Sequence, residues 1–158
     1  MTKKPTDFSF VREVKPVVDY GVRALCARPY HGHPKGCPNY GKRACCPPCA
    51  PKIENTLDLS KPVFAIFNVF DFGSHVARMR AKHPNWTDRQ CACCLYWQGT
   101  ARKHLREKVA QVRGLRIIST PEAQGVNLTA TMRTAGIELE WPPVKMAYQI
   151  VLAGTAPK

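Results

Sequence analysis

The run PVFAIFNVF, residues 62–70, is almost entirely β-branched, aromatic or small and apolar. A stretch of that length and composition behind a proline reads as a buried strand. Downstream of it, DFGSHVARMRAKHP (71–84) reads as a turn followed by a short basic helix. TDRQ (87–90) then has capping-box spacing, with Thr87 as N-cap and Gln90 at the third helical position. The spacing predicts a helix over 87–112, with Cys94, Leu95, Ala101, Leu105, Val109 and Val112 on its apolar stripe. Gly114 closes it. LRIIST (115–120) is a short strand, GVNLTATMRTAG (125–136) a helix with Val126, Leu128 and Met132 toward the core, and YQIVLAG (148–154) a last strand.

Upstream, IENTLDLS (53–60) reads as a short helix. FVREVKPVVDYGVRALC (10–26) has helical apolar spacing interrupted by Pro16, which predicts a short helix ending near Leu25. The alternation of strands and helices predicts an α/β fold built on a small βαβαβ sheet with right-handed crossovers. At 158 residues the chain is expected to form a single domain, 1–158. The loop STPEAQG (119–125) would lie at the edge of that sheet where ligands usually sit.

Between residues 26 and 51 this patterning vanishes. CPNYGKRACCPPCAP (37–51) packs four cysteines, four prolines and two basic side chains into fifteen positions. A long aperiodic loop inside a compact domain needs a constraint, and a bound metal supplies one. The eight cysteines fall into two groups: Cys26, Cys37, Cys45, Cys46 and Cys49, then Cys91, Cys93 and Cys94. Four disulfides would suit a small secreted domain, but the basic N-terminus lacks the apolar core of a signal segment, so the expected location is cytoplasmic. Vicinal thiols such as Cys45-Cys46 and Cys93-Cys94 also suit a disulfide framework poorly. Dense thiols in a reducing compartment read as metal ligands.

Cys46/Cys49 and Cys91/Cys94 share Cys-x-x-Cys spacing. Were the second pair helical, both thiols would share one face. The two pairs match the ligand count of a zinc ribbon. Iron–sulfur clusters also take four thiolates, and Cys37-Pro38 and Cys46-Pro47 resemble the proline-flanked cysteines of such sites. Spacing leaves zinc and iron–sulfur open. His31 and His33 read as polar turn residues rather than ligands.

The segments YGVRALC, CPNYGKRACCPP, PEAQGVNLTATMRTAGI and YQIVLAG together resemble an uncharacterised prokaryotic family of predicted metal-binding proteins with a Cys-Pro-Pro motif. The resemblance spans roughly residues 20–154, carried by Cys26, Cys37 with Tyr40 and Gly41, Cys46 with Pro47 and Pro48, Cys91 and Cys94, and Glu122 to Gly125. It implies an iron–sulfur site and no established reaction. A cysteine common in the family before the glycine of its Glu-Ala-x-Gly segment is here Gln124, and the run between Cys26 and Cys37 is longer than usual. The expectation is one [4Fe-4S] cluster, with Zn as the alternative. Cys26, Cys37 and Cys46 are its first ligands, Cys91 or Cys94 the fourth, and Cys49 next.

The formal charge of +13 is unevenly spread: residues 1–113 hold 20 of the 24 Lys and Arg and 8 of the 11 acids, net +12. Attraction to nucleic acid or an acidic protein would act through that part of the chain. Arg102, Lys103 and Arg106 crowd one helical face and are the candidate nucleic-acid contacts. No apolar run approaches the roughly 18–20 residues that span a membrane. P-loop, dinucleotide-turn and serine-elbow patterns are absent, Glu122 reads as a structural helix N-terminal carboxylate, and Trp86, Trp97 and Trp141 read as core or partly buried. Three functions follow: a cluster protein in electron transfer or redox sensing, an enzyme whose cluster has an open iron, or a zinc-stabilised nucleic-acid-binding protein.

Overall fold

In a computed structural model of the chain, residues 8–29 and 33–158 are described. Strand β2 (Val63–Asp71) covers the run quoted above, and Ala65, Ile66, Phe67 and Asn68 are buried in succession along it. Burial without alternation marks an interior strand covered on both faces. The sheet order is β1-β2-β4-β3, with β1 at Val11–Val14, β3 at Arg116–Ile118 and β4 at Met146–Gly154. The fold is α/β. The helices are α1 (Ile53–Thr56), α2 (Phe72–Lys82), α3 (Asp88–Cys91), α4 (Gln98–Val109) and α5 (Leu128–Arg133). None is long and apolar enough to cross a membrane among the described residues.

Three expectations are corrected. In residues 10–26 the short helix expected near Leu25 forms after Pro16, as a 3-10 helix at Tyr20–Ala27, but the apolar spacing before Pro16 belongs to a strand, Val11–Val14. The helix expected over 87–112 is broken into α3, a 3-10 turn at Cys94–Tyr96, and α4. Its capping box forms as expected, the Thr87 hydroxyl accepting from the Gln90 amide at 3.3 Å and Gln90 Oε1 accepting from the Thr87 amide at 2.8 Å. The third correction is to the crossovers. β3 and β4 are antiparallel neighbours, with Ile117 opposite Ala153. Residues 134–145 separate α5 from β4, enough chain to return in the reverse direction.

The chain divides into two compact units. Unit 1 comprises residues 8–11, Ile66–Arg113 and Glu138–Ile150; unit 2 comprises Arg12–Ala65, Gly114–Ile137 and Val151–Lys158. In unit 1 the core gathers Phe72, Trp97, Ala101 and Ala147. The Trp97 ring stacks on Phe70 at 4.9 Å and meets Phe72 edge-on at 5.4 Å. In unit 2, Ile53, Leu57, Val63, Val126, Met132 and Leu152 are fully buried, each contributing about 1.5–3 kcal/mol relative to exposure. Of the helix expected over 125–136, α5 covers Leu128–Arg133 and buries Leu128 and Met132 as expected, while Val126 is buried ahead of it, paired with Val18.

Candidate functional site

Unit 2 holds the five N-terminal cysteines, all of them free thiols. No α-helix or ladder strand forms between Ala27 and Ile53 among the described residues. Prolines and glycines prevent regular structure there, so backbone turns hold the loop instead. The Cys37 amide donates to the Cys26 carbonyl at 2.7 Å, the Gly41 amide to Pro47 at 2.7 Å, and the Ala50 amide to Cys46 at 2.9 Å. Gly36 makes the first of these closures possible. Its φ is +82°, and a Cβ there would stand 2.7 Å from the Cys26 carbonyl oxygen. Two side chains brace the loop from outside. Arg23 donates to the carbonyls of Pro48 (3.0 Å) and Ala50 (2.7 Å), and the Thr120 hydroxyl donates to Cys45 at 3.0 Å.

This folding draws Cys26, Cys37 and Cys46 into one electrostatic neighbourhood. Partial desolvation raises the Cys26 thiol pKa, and Cys37 and Glu122 raise it further. Desolvation also raises Cys46, with added contributions from its hydrogen bond to Cys45 and from the charges of Cys45 and Cys37. Arg43 acts in the opposite sense on Cys46. Cys45 and Cys49 are exposed members of the same loop.

Glu122 reaches this neighbourhood because its 3-10 turn, Glu122–Gln124, packs against the helix that carries Cys26. The Asp19 amide donates to Gly125 at 2.7 Å, and Val18 pairs with Val126. Gly125 is left-handed at φ +96°, and a Cβ there would fall 2.3 Å from the Tyr20 ring. Glu122 keeps part of its surface in solvent, yet the protein packed around its carboxyl raises that group's pKa. Gln124, at the position of the missing cysteine, is buried and accepts a 2.5 Å hydrogen bond from Thr56.

The second cysteine group belongs to unit 1. Cys91 is fully buried, Cys93 half-buried and Cys94 exposed. The shared helical face expected for Cys91 and Cys94 does not form, because α3 ends at Cys91 and a separate turn begins at Cys94. Among the described residues, no three His, Cys, Asp or Glu side chains lie close enough together to hold a metal ion. His31 lies outside the described residues, and His33 is exposed.

Arg102, Lys103 and Arg106 are exposed on α4 as expected. Lys108 is not part of that face: its ammonium donates to the buried Asn68 side chain at 2.5 Å. Of the tryptophans, only Trp97 is core; Trp86 is half-buried and Trp141 is 64% exposed. Sequence reading missed the Arg23 clasp and the approach of Glu122 to Cys26, since both depend on backbone turns that leave no periodic trace. No model of a known protein family, no curated protein and no solved structure matches the chain.

Proposed function

We propose that this chain is a cytoplasmic iron–sulfur protein that carries one [4Fe-4S] cluster on its N-terminal loop and serves electron transfer or redox sensing. The observation that carries the reading is a proline-rich loop folded by its own hydrogen bonds around Cys26, Cys37 and Cys46, with the Cys37 amide donating to the Cys26 carbonyl at 2.7 Å and Arg23 clasping the turn that follows Cys46. The donor set fits a thiophilic group. Cys26, Cys37 and Cys46 would hold it, and Cys49, exposed in the same loop, would complete four thiolates. Tetrahedral zinc gathers its sulfurs to about 3.8 Å from one another. A [4Fe-4S] cluster, which takes the same four thiolates, would be held by this loop's cysteines and would supply redox chemistry that zinc lacks.

When bound, such a cluster supplies one reversible electron at a potential set by hydrogen bonds and solvent exposure. The chain's own residues prepare for the charge. Thiols whose pKa is raised by desolvation, and further by neighbouring thiolates, would lose their protons once bound iron neutralised them. Arg43 favours thiolate at Cys46, and Arg23 fixes the turn that presents it. The protein purified without oxygen is expected to show a broad visible band that a reductant bleaches reversibly, with about four iron and four sulfide per chain. A colourless protein holding stoichiometric zinc overturns the reading.

A further inference from the structure

Unit 1 exposes apolar surface that its core does not use. Leu95 is 84% and Tyr96 52% exposed, in the turn directly before α4. Tyr96 does not stand alone. Its ring lies 5.2 Å from Trp86, tilted by 32°, and Trp86 in turn stacks on His83 at 3.7 Å with the planes 7° apart. The three rings are held from below. The Trp86 amide donates to the His83 carbonyl at 3.0 Å, and the His83 amide to Met79 at 2.8 Å. Arg80 pairs with Asp88 at 2.6 Å and ties α2 to α3 just beyond Trp86.

The cations of α4 adjoin these rings in the chain. α4 starts two residues after Tyr96, and Arg102, Lys103 and Arg106 follow about 6 to 12 Å along its axis. All three are exposed, while Glu107 is the single carboxylate of that helix. Residues 66–113 carry nine Lys and Arg against three Asp and Glu, a net +6. A solvated helix face accounts for the cations. It does not account for a half-exposed tyrosine, backed by two rings and flanked by an exposed leucine, at the end of the same helix.

We propose that this surface binds single-stranded nucleic acid, with Tyr96 stacking on an unpaired base and Arg102, Lys103 and Arg106 contacting phosphates. Rings stack on any base, so the surface has little sequence preference; a duplex hides the base faces and gains only the phosphate contacts. Trp86 and His83 hold the Tyr96 ring in place before the ligand arrives, which lowers the ordering cost of binding.

The test is fluorescence anisotropy of the full chain with a labelled oligothymidine of about 12 nucleotides and with a duplex of the same length. The unmodified protein is expected to bind the single strand more tightly than the duplex at about 50 mM salt, with affinity falling steeply toward about 200 mM. Tyr96→Ala should weaken single-strand binding about tenfold, leave duplex binding unchanged, and be rescued by Tyr96→Phe. Joint replacement of Arg102, Lys103 and Arg106 by Ala should lower the slope of log affinity against log salt by about 2. Circular dichroism of each variant checks that the fold is intact. No binding of the unmodified protein at the lower salt overturns the proposal. So does equal affinity for both ligands with no effect of Tyr96→Ala. Both results are read whether the chain carries iron, zinc or neither, and so leave the cluster reading untouched.

Discussion

The two cysteine groups contain the same Cys-x-x-Cys spacing in opposite settings. In unit 2, Cys46 and Cys49 sit in a loop stitched by backbone turns, partly or wholly open to solvent, and Cys46 feels the charges of Cys45 and Cys37. In unit 1, Cys91 is sealed in the interior and Cys94 faces solvent after the helix has ended. Ligand spacing is thus a statement about the chain, while ligand geometry belongs to the backbone. A pair three residues apart converges only when the turn between them brings both side chains to one side. At 91–94 the helical hydrogen-bond pattern stops at the first thiol, and that convergence is lost.

The sharpest way to break this contrast is substitution of the thiols. Cys26→Ser, Cys37→Ser and Cys46→Ser should each abolish iron and sulfide content, whereas Cys94→Ser should leave both unchanged. Metal analysis and visible absorption read the result. Equal loss from Cys94→Ser would make the two groups equivalent.

The next largest effect falls on the contact that brings Glu122 toward Cys26. Gly125→Ala must place a methyl group against the Tyr20 ring at a left-handed position. It should cost unit 2 about 2–5 kcal/mol, measured by denaturant unfolding. A cost below about 1 kcal/mol would mean that Tyr20 yields freely.

Thr87→Ala removes the capping box that starts α3 and should destabilise unit 1 by about 1 kcal/mol. Hydrogen exchange should localise the loss to α2 and α3, leaving α5 amides unchanged.

The smallest effect is invisible at neutral pH. His75 is 4% exposed, its Nε2 has no hydrogen-bond partner, and burial holds its pKa below the ordinary 6.5, with Arg78 adding to the depression. Below pH 6.5 the unfolded chain takes up a proton that the folded chain refuses, so stability falls as pH drops through that value toward the lower folded pKa. Above it both forms are neutral and His75 has no effect. His75→Phe should flatten this part of the thermal melting profile; an unchanged profile would exonerate His75.

The interior of the fold was legible because burial leaves a pattern. The run at 62–70 predicted β2, 148–154 the last strand, and Thr87 with Gln90 a helix start, each a local signal that tertiary packing reinforced. Strand β1 was not legible, since it buries only Val14 of its four residues and has the composition of a helix start. The break between α3 and α4 was hidden as well, because Leu95 supplies an apolar residue in helical register yet points into solvent. For the candidate site, residue identities were readable and their grouping was not. Which thiols meet depends on turns made by Gly36, Gly41 and the prolines, whose effect is conformational rather than periodic.

Arg23 holds two cysteine-bearing segments together. By donating to both Pro48 and Ala50 it joins the helix bearing Cys26 to the turn bearing Cys46, a cross-link made without sulfur. Small cysteine-rich proteins usually staple such loops with disulfides, and each staple removes two thiols from other use. Here the staple is a guanidinium, and no cysteine is spent on a disulfide. The loop's shape is therefore indifferent to reducing agents but sensitive to denaturants that compete for carbonyl oxygens. A redox-active centre in such a loop could accept an electron while its scaffold, having no disulfide to reduce, stays as it was.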